Sequence, residues 1–438
     1  MAGTRIPRDD EYDYTAAAAA RRREFAENLN GSSLEHVGSY TVPPESLPGN
    51  IEHFTGVAQV PVGLAGPLVV HGEHAQGEFY VPLATTEGTL VASYNRGMKL
   101  LRAAGGVKVT VVDDAMQRAP AFIFESAREA RDFAAWLDSN FEAVRERAES
   151  TTGTGRLRDI ERFFAGRFVF TRFNYSTGDA AGQNMTGKAT WAACEWIKAN
   201  NGDVLDYMLE AQMATDKKHS HINTLRTRGK RVVAEAVIPD ELLTEMMGVT
   251  TRQIFQARQL SNLGGFLSGT AANAAHPANG IAALFIATGQ DAGNVAESHA
   301  AITYVELREN DDYYYYSITL PSLIVATHGG GTGLATQRNA LSCSAARGPG
   351  RRSSSPRSWA RPCSAASCRW VPRSSPTSGF RRTTSSAATA EFRPAIGDPF
   401  LDCGFIRIRP RVIYRRHHLN FRACFRQERK YRVIRIRA

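Results

Sequence analysis

Residues 84–101 read ATTEGTLVASYNRGMKLL, a polar turn followed by an amphipathic segment. The apolar residues after the turn recur at helical spacing and are Leu90, Val91, Tyr94, Met98 and Leu101. Thr85 or Thr86 is predicted to cap this helix, and Gly105-Gly106 to end it. The stretch therefore predicts a carboxylate, Glu87, at the start of a helix whose apolar face lies in a core.

Two later stretches place charged side chains in predicted loops, namely Thr215-Asp216-Lys217-Lys218 and Gly289-Gln290-Asp291-Ala292. Taken singly, each charged group has an ordinary explanation. A Glu after Thr-Thr is favoured by the helix dipole, an Asp-Lys-Lys run is a solvated turn, and an Asp can cap a helix. Only the order of the stretches and their flanking residues indicate a function.

The charge of the chain is unevenly distributed. Its formal net charge is +10, and 22 of the 53 Lys and Arg residues but only 4 of the 43 Asp and Glu residues lie in 341–438. The tail therefore carries +18, and residues 1–340 carry −8. A chain of 438 residues is long enough for two or three domains, and its basic character belongs to the tail.

Cysteine usage and hydropathy indicate the compartment. Cys194 is the one cysteine of residues 1–340, which argues against a disulfide framework and favours a reducing environment. No apolar run reaches about 18 residues, so no membrane span is predicted. The first residues lack the apolar core of a signal peptide. We therefore expect a cytoplasmic protein.

Periodicity elsewhere in the chain predicts a mixed α+β fold. Helices are predicted over 16–25, 127–137, 185–198 and 252–274. Strands are predicted over 107–112, 167–175 and 232–238, with a hairpin of 301–307 and 313–320 around residues 310–312. The run 60–67 is too rich in Pro and Gly for a helix.

Residues 341–438 differ in kind from the rest. Ser, Arg, Pro and Ala dominate up to residue 390 without helical or strand periodicity, so disorder is predicted. Only one of the 22 basic residues of the tail is lysine. This composition is typical of a GC-rich gene read out of frame. We interpret the tail as the product of a frameshift, with an evolved basic extension as the alternative.

Six motifs in order resemble those of 3-hydroxy-3-methylglutaryl-CoA (HMG-CoA) reductases, over roughly residues 50–340. They are the segment 50–68, the stretch 84–97 around Glu87, DAAGQNM at 179–185, TDKK at 215–218, GQD at 289–291 and GGGT at 329–332. That family reduces a thioester to an alcohol with two NADPH, giving mevalonate and CoA. The resemblance therefore implies NADPH as the cofactor and HMG-CoA and CoA as ligands.

The resemblance assigns catalysis to Glu87, Lys217 and Asp291. Hydride addition to a thioester carbonyl builds an oxyanion, and the Lys217 cation would stabilise that charge. The second hydride reduces an aldehyde, whose oxygen needs a proton that the Glu87 carboxyl would supply. Asp291 would lie close to both, holding the lysine charged and coupling to the glutamate.

Contacts with the cofactor are implied for two groups of residues, Asp179, Asn184 and Met185 in one motif and Gly329, Gly330, Gly331 and Thr332 in the other. No G-x-G-x-x-G fingerprint follows a strand. Residues 179–185 instead open a predicted helix, where backbone N–H groups can bind phosphate. An ordinary tight turn is the alternative for the glycines. No metal-ligand motif is present, so no metal is predicted.

Contacts with the substrate are implied for Ser93, Asn95, Asp216, Lys218 and Asn279. A turn or cap role is the alternative for the last of these. Two positions depart from the family pattern. Thr110 stands where many members carry arginine, with Lys108 nearby as a substitute, and Glu210 stands where some members have serine.

The resemblance also implies an arrangement of domains. A helical segment at 1–50 would precede a large, helix-rich substrate domain at 51–108 and 209–340. A small ferredoxin-like cofactor domain would be inserted at 109–208, and 341–438 would form the disordered tail. The family builds its active site across a subunit interface, which implies a homodimer or higher homo-oligomer.

Family members carry one more catalytic histidine, on a C-terminal helix, that protonates the departing CoA thiolate. Residues 342–438 contain no match, and His417-His418 lies in Arg-rich sequence. The expected activity is therefore NADPH-dependent reduction of HMG-CoA to mevalonate, impaired at thiolate release. Two alternatives stay open, a remnant that binds CoA esters or NADP(H) without turnover and a protein that binds nucleic acid through the basic tail.

Overall fold

The computed structural model of the protein describes residues 5–344. Its strands are β1 (Val62–Gly72), β2 (Gln76–Ala84), β3 (Val107–Arg118), β4 (Ala121–Ile123), β5 (Arg156–Ala165), β6 (Phe168–Ser176), β7 (Asp206–Met208), β8 (Gly229–Pro239), β9 (Ile302–Arg308) and β10 (Tyr313–Leu323). Its helices are α1 (Ala16–Asn30), α2 (Glu35–Gly38), α3 (Leu90–Ala103), α4 (Ala127–Ser139), α5 (Phe141–Glu149), α6 (Gln183–Asn200), α7 (His221–Leu225), α8 (Asp240–Met247), α9 (Thr251–Ser268), α10 (Pro277–Thr288), α11 (Val295–Ser298) and α12 (Ala335–Cys343). The predicted mixed class of helix and sheet is confirmed.

The strands form one ten-stranded sheet, mostly antiparallel, in the order β7-β4-β6-β3-β8-β10-β9. β1 pairs with β2 and, in parallel, with β3, and β5 pairs with β6. The long strand β3 joins the part of the sheet that contains β8, β10 and β9 to the part that contains β6, β4 and β7. Its residues 108–115 pair with β8, and its residues 116–118 pair with β6.

Within residues 5–344, buried apolar residues form three separate clusters. The largest packs α3, α8 and α10 against β1, β2, β8 and β10, and includes Phe79, Tyr94 and Leu284. The second lies within residues 122–204 and contains Phe122, Phe133 and Tyr175. The third packs α1 against the segment that follows it. Helix α3 contributes Leu90, Tyr94, Met98 and Leu101 to the large cluster, as the spacing of its sequence predicts.

Several elements match the sequence-based expectations. Helices α1, α4 and α6 and strands β6 and β8 include most or all of the residues predicted for them, and β9 and β10 form the predicted hairpin. α9 ends at Ser268 rather than at residue 274, because Gly269 takes a left-handed conformation with φ of 71° and closes the helix. No helix within residues 5–344 is both long enough and apolar enough to cross a membrane.

The predicted cap of α3 is wrong. The helix begins at Leu90, and its N-cap residue is Thr89, whose side chain makes no capping hydrogen bond. The Thr85 hydroxyl instead accepts the N–H of Glu87 at 2.9 Å and so stabilises a turn ahead of the helix. Glu87 therefore lies in an exposed turn three residues before α3. Gly105 and Gly106 end the helix as predicted, with φ of 93° and 101°.

The predicted start of the disordered tail at residue 341 is wrong, because residues 341–343 belong to helix α12. The disorder predicted for the rest of the basic tail and the interpretation of His417-His418 concern residues 345–438, which lie beyond the part of the chain that the structure describes.

Candidate active site

Lys217 and Asp291 form an ion pair. The lysine Nζ lies 2.8 Å from Oδ2 of Asp291, and both side chains are about half exposed. Asp291 precedes the 3₁₀ turn Ala292–Asn294, where its Oδ1 accepts the N–H of Gly293 at 2.9 Å. The hydrogen bond that Lys217 donates to Asp291 raises the pKa of Lys217 above its ordinary value. The site therefore presents a firmly held cation that is accessible from solvent.

The loop that carries the lysine has an unusual backbone. Thr215 and Lys217 take left-handed conformations, with φ of 54° and 55°. Such conformations cost residues other than glycine about 1–3 kcal/mol and persist only where the surroundings enforce them. Asp216, between them, accepts a hydrogen bond from Nη2 of Arg228 at 2.5 Å. The side chain of Arg228 is 2% exposed, so the loop is anchored to a buried charge.

Glu297 lies beneath this loop and is fully buried. Its Oε1 accepts the backbone N–H of Lys217 at 3.1 Å and Nε of Arg228 at 3.3 Å. Burial raises the pKa of Glu297 above its ordinary value, and the Arg228 charge opposes that shift. Sequence reasoning did not single out Glu297 or Arg228, because each lies among residues with no motif and acquires its role only from tertiary contacts.

Glu87 contacts a different partner. Its Oε2 accepts Nδ2 of Asn279 at 2.7 Å. Asn279 lies in the first turn of α10, which Pro277 starts. Ser93 is buried in α3, and the exposed Asn95 accepts the N–H of Gly66 at 3.1 Å. The predicted acid and three predicted substrate residues therefore lie around α3 and the start of α10.

The Glu87–Asn279 contact and the Lys217–Asp291 ion pair lie at opposite ends of α10. Asn279 is in its first turn, and Asp291 follows its last residue, Thr288. A helix of 12 residues is about 18 Å long and rigid. The expected contact of Asp291 with Lys217 is present. The expected closeness of Asp291 to Glu87 stays a prediction, and the two residues contact partners at different ends of the helix.

The start of α6 borders the lysine loop. Gln183, its first residue, donates from Nε2 to Oδ1 of Asp216 at 3.1 Å. The N-cap residue is Gly182, with φ of 83° and no side chain to bind the first-turn amides. Asn184 is exposed in that turn, and Met185 packs against Gly155. An 18-residue helix that begins in this way suits a phosphate group.

The glycine-rich turn lies beside the motif at 179–185. Thr327 donates its N–H to the carbonyl of Asp179 at 2.9 Å, and Ala180 bridges to His328. Gly329 and Gly330 then follow, both exposed and left-handed, with open space where a Cβ would be. The hydroxyl of Thr332 donates to the carbonyl of Gly329 at 2.7 Å and closes the turn. The structure thus brings both groups of predicted cofactor residues together, and an exposed glycine edge beside a helix start fits a dinucleotide.

Gly289 joins the glycine-rich turn to the aspartate motif. A Cβ placed on Gly289 would lie 2.2 Å from the carbonyl oxygen of Gly331. Lys217–Asp291, the glycine-rich turn and the start of α6 therefore meet in one place. The helix-capping role of Gly289, with φ of 72°, requires glycine for a second reason.

Replacing Gly289 with alanine is expected to destabilise the fold by about 1–3 kcal/mol more than the same change at Gly248. Gly248 is a matched control, because it caps α8 with φ of 69° and has nothing within 4 Å of its Cβ position. Both variants strain the backbone, but only the Gly289 variant forces two backbone segments apart. Urea unfolding of both variants measures the difference, and equal losses would show that the close approach is not required.

The cation of β3 that borders the start of α6 is Arg118 and not Lys108. Its Nη1 lies 3.4 Å from Oε2 of Glu210, and its Nη2 donates to the carbonyl of Gln183 at 3.2 Å. Lys108 pairs in register with Glu235 near the opposite end of β3. The predicted substitute for the family's arginine is therefore remote from the lysine loop. Lys218 is exposed, and its Nζ donates to the carbonyl of Asp216 at 3.0 Å.

Comparison with known proteins identifies a family. A family model described as hydroxymethylglutaryl-coenzyme A reductase matches residues 18–360. The 3-hydroxy-3-methylglutaryl-coenzyme A reductase of Pyrococcus abyssi is 43% identical over 332 residues, which is 75% of this chain and 81% of that protein. The same enzyme of Aeropyrum pernix is 44% identical over 336 residues, 76% of this chain and 79% of that protein. These matches define the class of protein as an oxidoreductase.

More particularly, the chain belongs to the hydroxymethylglutaryl-coenzyme A reductase family. A solved structure titled as the class II enzyme from Streptococcus pneumoniae bound to NADPH in open conformations superposes with a TM-score of 0.58. It is 20% identical and covers 79% of this chain and 93% of that one, a likeness that concerns the fold. The family match begins ahead of residue 50 and ends at residue 360, inside the segment assigned above to the basic tail.

Proposed function

We propose that this protein reduces HMG-CoA to mevalonate and CoA with NADPH, in the cytoplasm. The single observation that supports this most strongly is the Lys217–Asp291 ion pair, set where the glycine-rich turn and the start of α6 meet. Membership of the family supplies the reaction class, and the relatives' printed names supply the substrate. NADPH follows from the resemblance of residues 179–185 and 329–332 to the family's cofactor motifs.

In this proposal, each residue acts through its position and charge. Bound NADPH would supply hydride, first to the thioester carbonyl and then to the aldehyde. Lys217 would stabilise the negative charge that develops on the carbonyl oxygen, because Asp291 keeps the lysine protonated. Glu87, oriented by Asn279, would give a proton to the oxygen of the aldehyde. Gly329–Gly331, Thr332 and the first turn of α6 with Asn184 and Met185 would hold the dinucleotide.

A second copy of the chain would complete the site. Glu87 contacts Asn279 in the first turn of α10, and Lys217 contacts Asp291 beyond its last residue, so we assign the two reacting groups of one site to two chains. The resemblance implies an interface site, and the helix supplies a physical reason for one. The substrate contacts would be divided in the same way, with Ser93, Asn95 and Asn279 on one side and Asp216 and Lys218 on the other.

The domain arrangement belongs to the same proposal. Residues 109–208 would form the small cofactor domain, and 51–108 with 209–340 would form the large substrate domain. Two observations support these boundaries. The second buried cluster is confined to residues 122–204, and the large cluster draws on residues from both sides of that segment.

The oxidation of NADPH by the full-length chain tests the proposal, with HMG-CoA, mevaldehyde or no substrate added. We expect NADPH oxidation with both substrates, faster with mevaldehyde because aldehyde reduction needs no acid for the thiolate. Loss of a general acid typically costs roughly 10²–10⁴ in rate. If neither substrate accelerates oxidation although both ligands bind, the chain is the non-catalytic remnant. Salt-sensitive binding of DNA by residues 341–438 alone would support the nucleic-acid alternative.

Replacing Asp291 with asparagine is expected to move the alkaline limb of the pH–rate profile to lower pH. Asp291 raises the pKa of Lys217, so its loss lets the lysine lose its proton at lower pH. Because the protonated lysine is the active form, activity would be kept below the lysine pKa and lost as pH rises through it. Profiles of kcat/KM for mevaldehyde over about pH 7 to 11 measure this. An unchanged alkaline limb would contradict the role of the ion pair.

A further inference from the structure

Glu297 is fully buried next to Lys217, and neither the proposed catalysis nor the proposed ligand binding uses it directly. Three donors converge on its Oε1, namely the N–H of Lys217 at 3.1 Å, Nε of Arg228 at 3.3 Å and Nδ2 of Asn294 at 3.0 Å. Its Oε2 is buried with no hydrogen-bond partner among the described residues. A buried carboxylate is costly to keep, so its contacts deserve a functional explanation.

The contacts of Glu297 constrain the lysine from its backbone side. Asp291 and Glu297 belong to one short segment, which includes the turn Ala292–Asn294 and helix α11. This segment binds Lys217 twice, through the Nζ at Asp291 and through the backbone N–H at Glu297. The lysine is thus held at both ends in the left-handed conformation that its backbone would not otherwise favour.

Arg228 extends the same constraint to the neighbouring residue. Its guanidinium donates to Glu297 through Nε and to Asp216 through Nη2. Its Nη1 also donates to the carbonyl of Gln117 on β3 at 3.3 Å. Asp216 and Lys217 are therefore fixed to a buried ion pair that is itself fixed to the sheet.

We propose that Glu297, through its buried pair with Arg228, is a positioning residue that sets the backbone of Lys217 and thereby aims its ammonium group. The expected effect of Glu297 on the reaction rate rests on the proposed function. Its effect on the position of Lys217 does not, because that position can be measured without turnover. Misplacing a reacting group by about 1 Å can cost roughly a hundredfold in rate. Glu297 thus affects hydride transfer without itself touching the substrate.

Three variants of Glu297 and one control test the proposal in the full-length chain. Glu297→Gln keeps the shape and one acceptor oxygen, and Glu297→Ala removes both. The double variant Glu297→Leu with Arg228→Met removes both buried charges together, which proteins often tolerate without loss of stability. Glu309→Gln is the control, because Glu309 is exposed in the β9–β10 turn.

We expect kcat for mevaldehyde to fall about tenfold in Glu297→Gln and about a hundredfold in Glu297→Ala and the double variant. The KM for NADPH should stay within about twofold, and the control should match the parent chain. A double variant with the parent's melting temperature and the parent's kcat would overturn the proposal. So would a fall in kcat of Glu297→Gln that is matched by its loss of folded protein, since that pattern indicates stability alone.

The second measurement, chemical acylation of Lys217, does not depend on enzymatic activity. Acetic anhydride at pH 8 acylates neutral amines, and peptide mass spectrometry compares Lys217 with the exposed Lys99 of the same molecule. Release of Lys217 from Asp291 should raise its relative acylation about threefold or more in Glu297→Gln, and not in the control. If the parent chain is inactive but this increase appears, the proposed function fails and the positioning role stands. If acylation of Lys217 is unchanged, the positioning role fails whatever the activity.

Discussion

Replacing Lys217 with methionine is expected to lower kcat for the reduction of mevaldehyde and of HMG-CoA by about a thousandfold. The ammonium group is the cation that Asp291 holds at 2.8 Å beside the proposed cofactor site. Methionine has a similar length and no charge, so the variant removes the electrostatic stabilisation of the developing oxyanion with little change in shape. The KM for NADPH should change little, since the residues proposed to hold the cofactor are untouched.

Steady-state kinetics of this variant have a matched control in Lys99→Met. Lys99 is exposed on α3 and has no role in the proposed site. We expect the Lys99→Met control to keep the parent's rate. We expect the Lys217 variant to bind NADPH but to turn over slowly. If the Lys217 variant kept more than about a tenth of the parent's kcat, the lysine would not be the main stabiliser of charge.

Replacing Glu87 with glutamine is expected to slow the reduction of mevaldehyde by roughly 10²–10⁴. The glutamine amide can still accept the hydrogen bond that Asn279 donates to Glu87 at 2.7 Å, so the local structure should persist. What disappears is the carboxyl proton that the aldehyde oxygen would take up. Glu73→Gln, in the exposed turn between β1 and β2, controls for the loss of one surface charge.

The same variant tests whether two chains share one site. In the proposed site of two chains, an inactive Glu87→Gln chain and an inactive Lys217→Met chain would each keep the catalytic group that the other lacks. Refolding an equal mixture should restore about a quarter of the parent's activity per chain, because half of randomly formed dimers are mixed and each mixed dimer has one intact site out of two. Recovery of no activity in a mixture that contains mixed dimers would contradict a site built from two copies.

The meeting of Lys217 with Asp291 could be predicted from the sequence because the motifs that carry them are local. TDKK at 215–218 and GQD at 289–291 each occupy a single loop, and the structure joins Lys217 to Asp291. The helical spacing of α3 is equally local, and its predicted buried face is confirmed. Patterns of this kind require no knowledge of distant contacts.

What the sequence did not reveal depends on tertiary structure. The hairpin of β1 and β2 starts in a run rich in Pro and Gly and is held by pairing with β3. Arg228 and Glu297 are 69 residues apart and meet only in the folded chain. Asn279, the partner of Glu87, lies in the first turn of α10 and Asp291 follows its last residue, and the local motifs carry no information about that placement.

Transfer of deuterium from NADPH to the product distinguishes reduction of HMG-CoA from binding alone. The full-length chain is incubated with HMG-CoA and NADPH that carries deuterium at the transferred position, and the products are analysed by mass spectrometry. Both hydrides of the proposed reaction go to the same carbon, so we expect mevalonate carrying two deuterium atoms, together with free CoA. Bound HMG-CoA and NADPH with no deuterated mevalonate after prolonged incubation would contradict it and leave a protein that binds these ligands without reducing them.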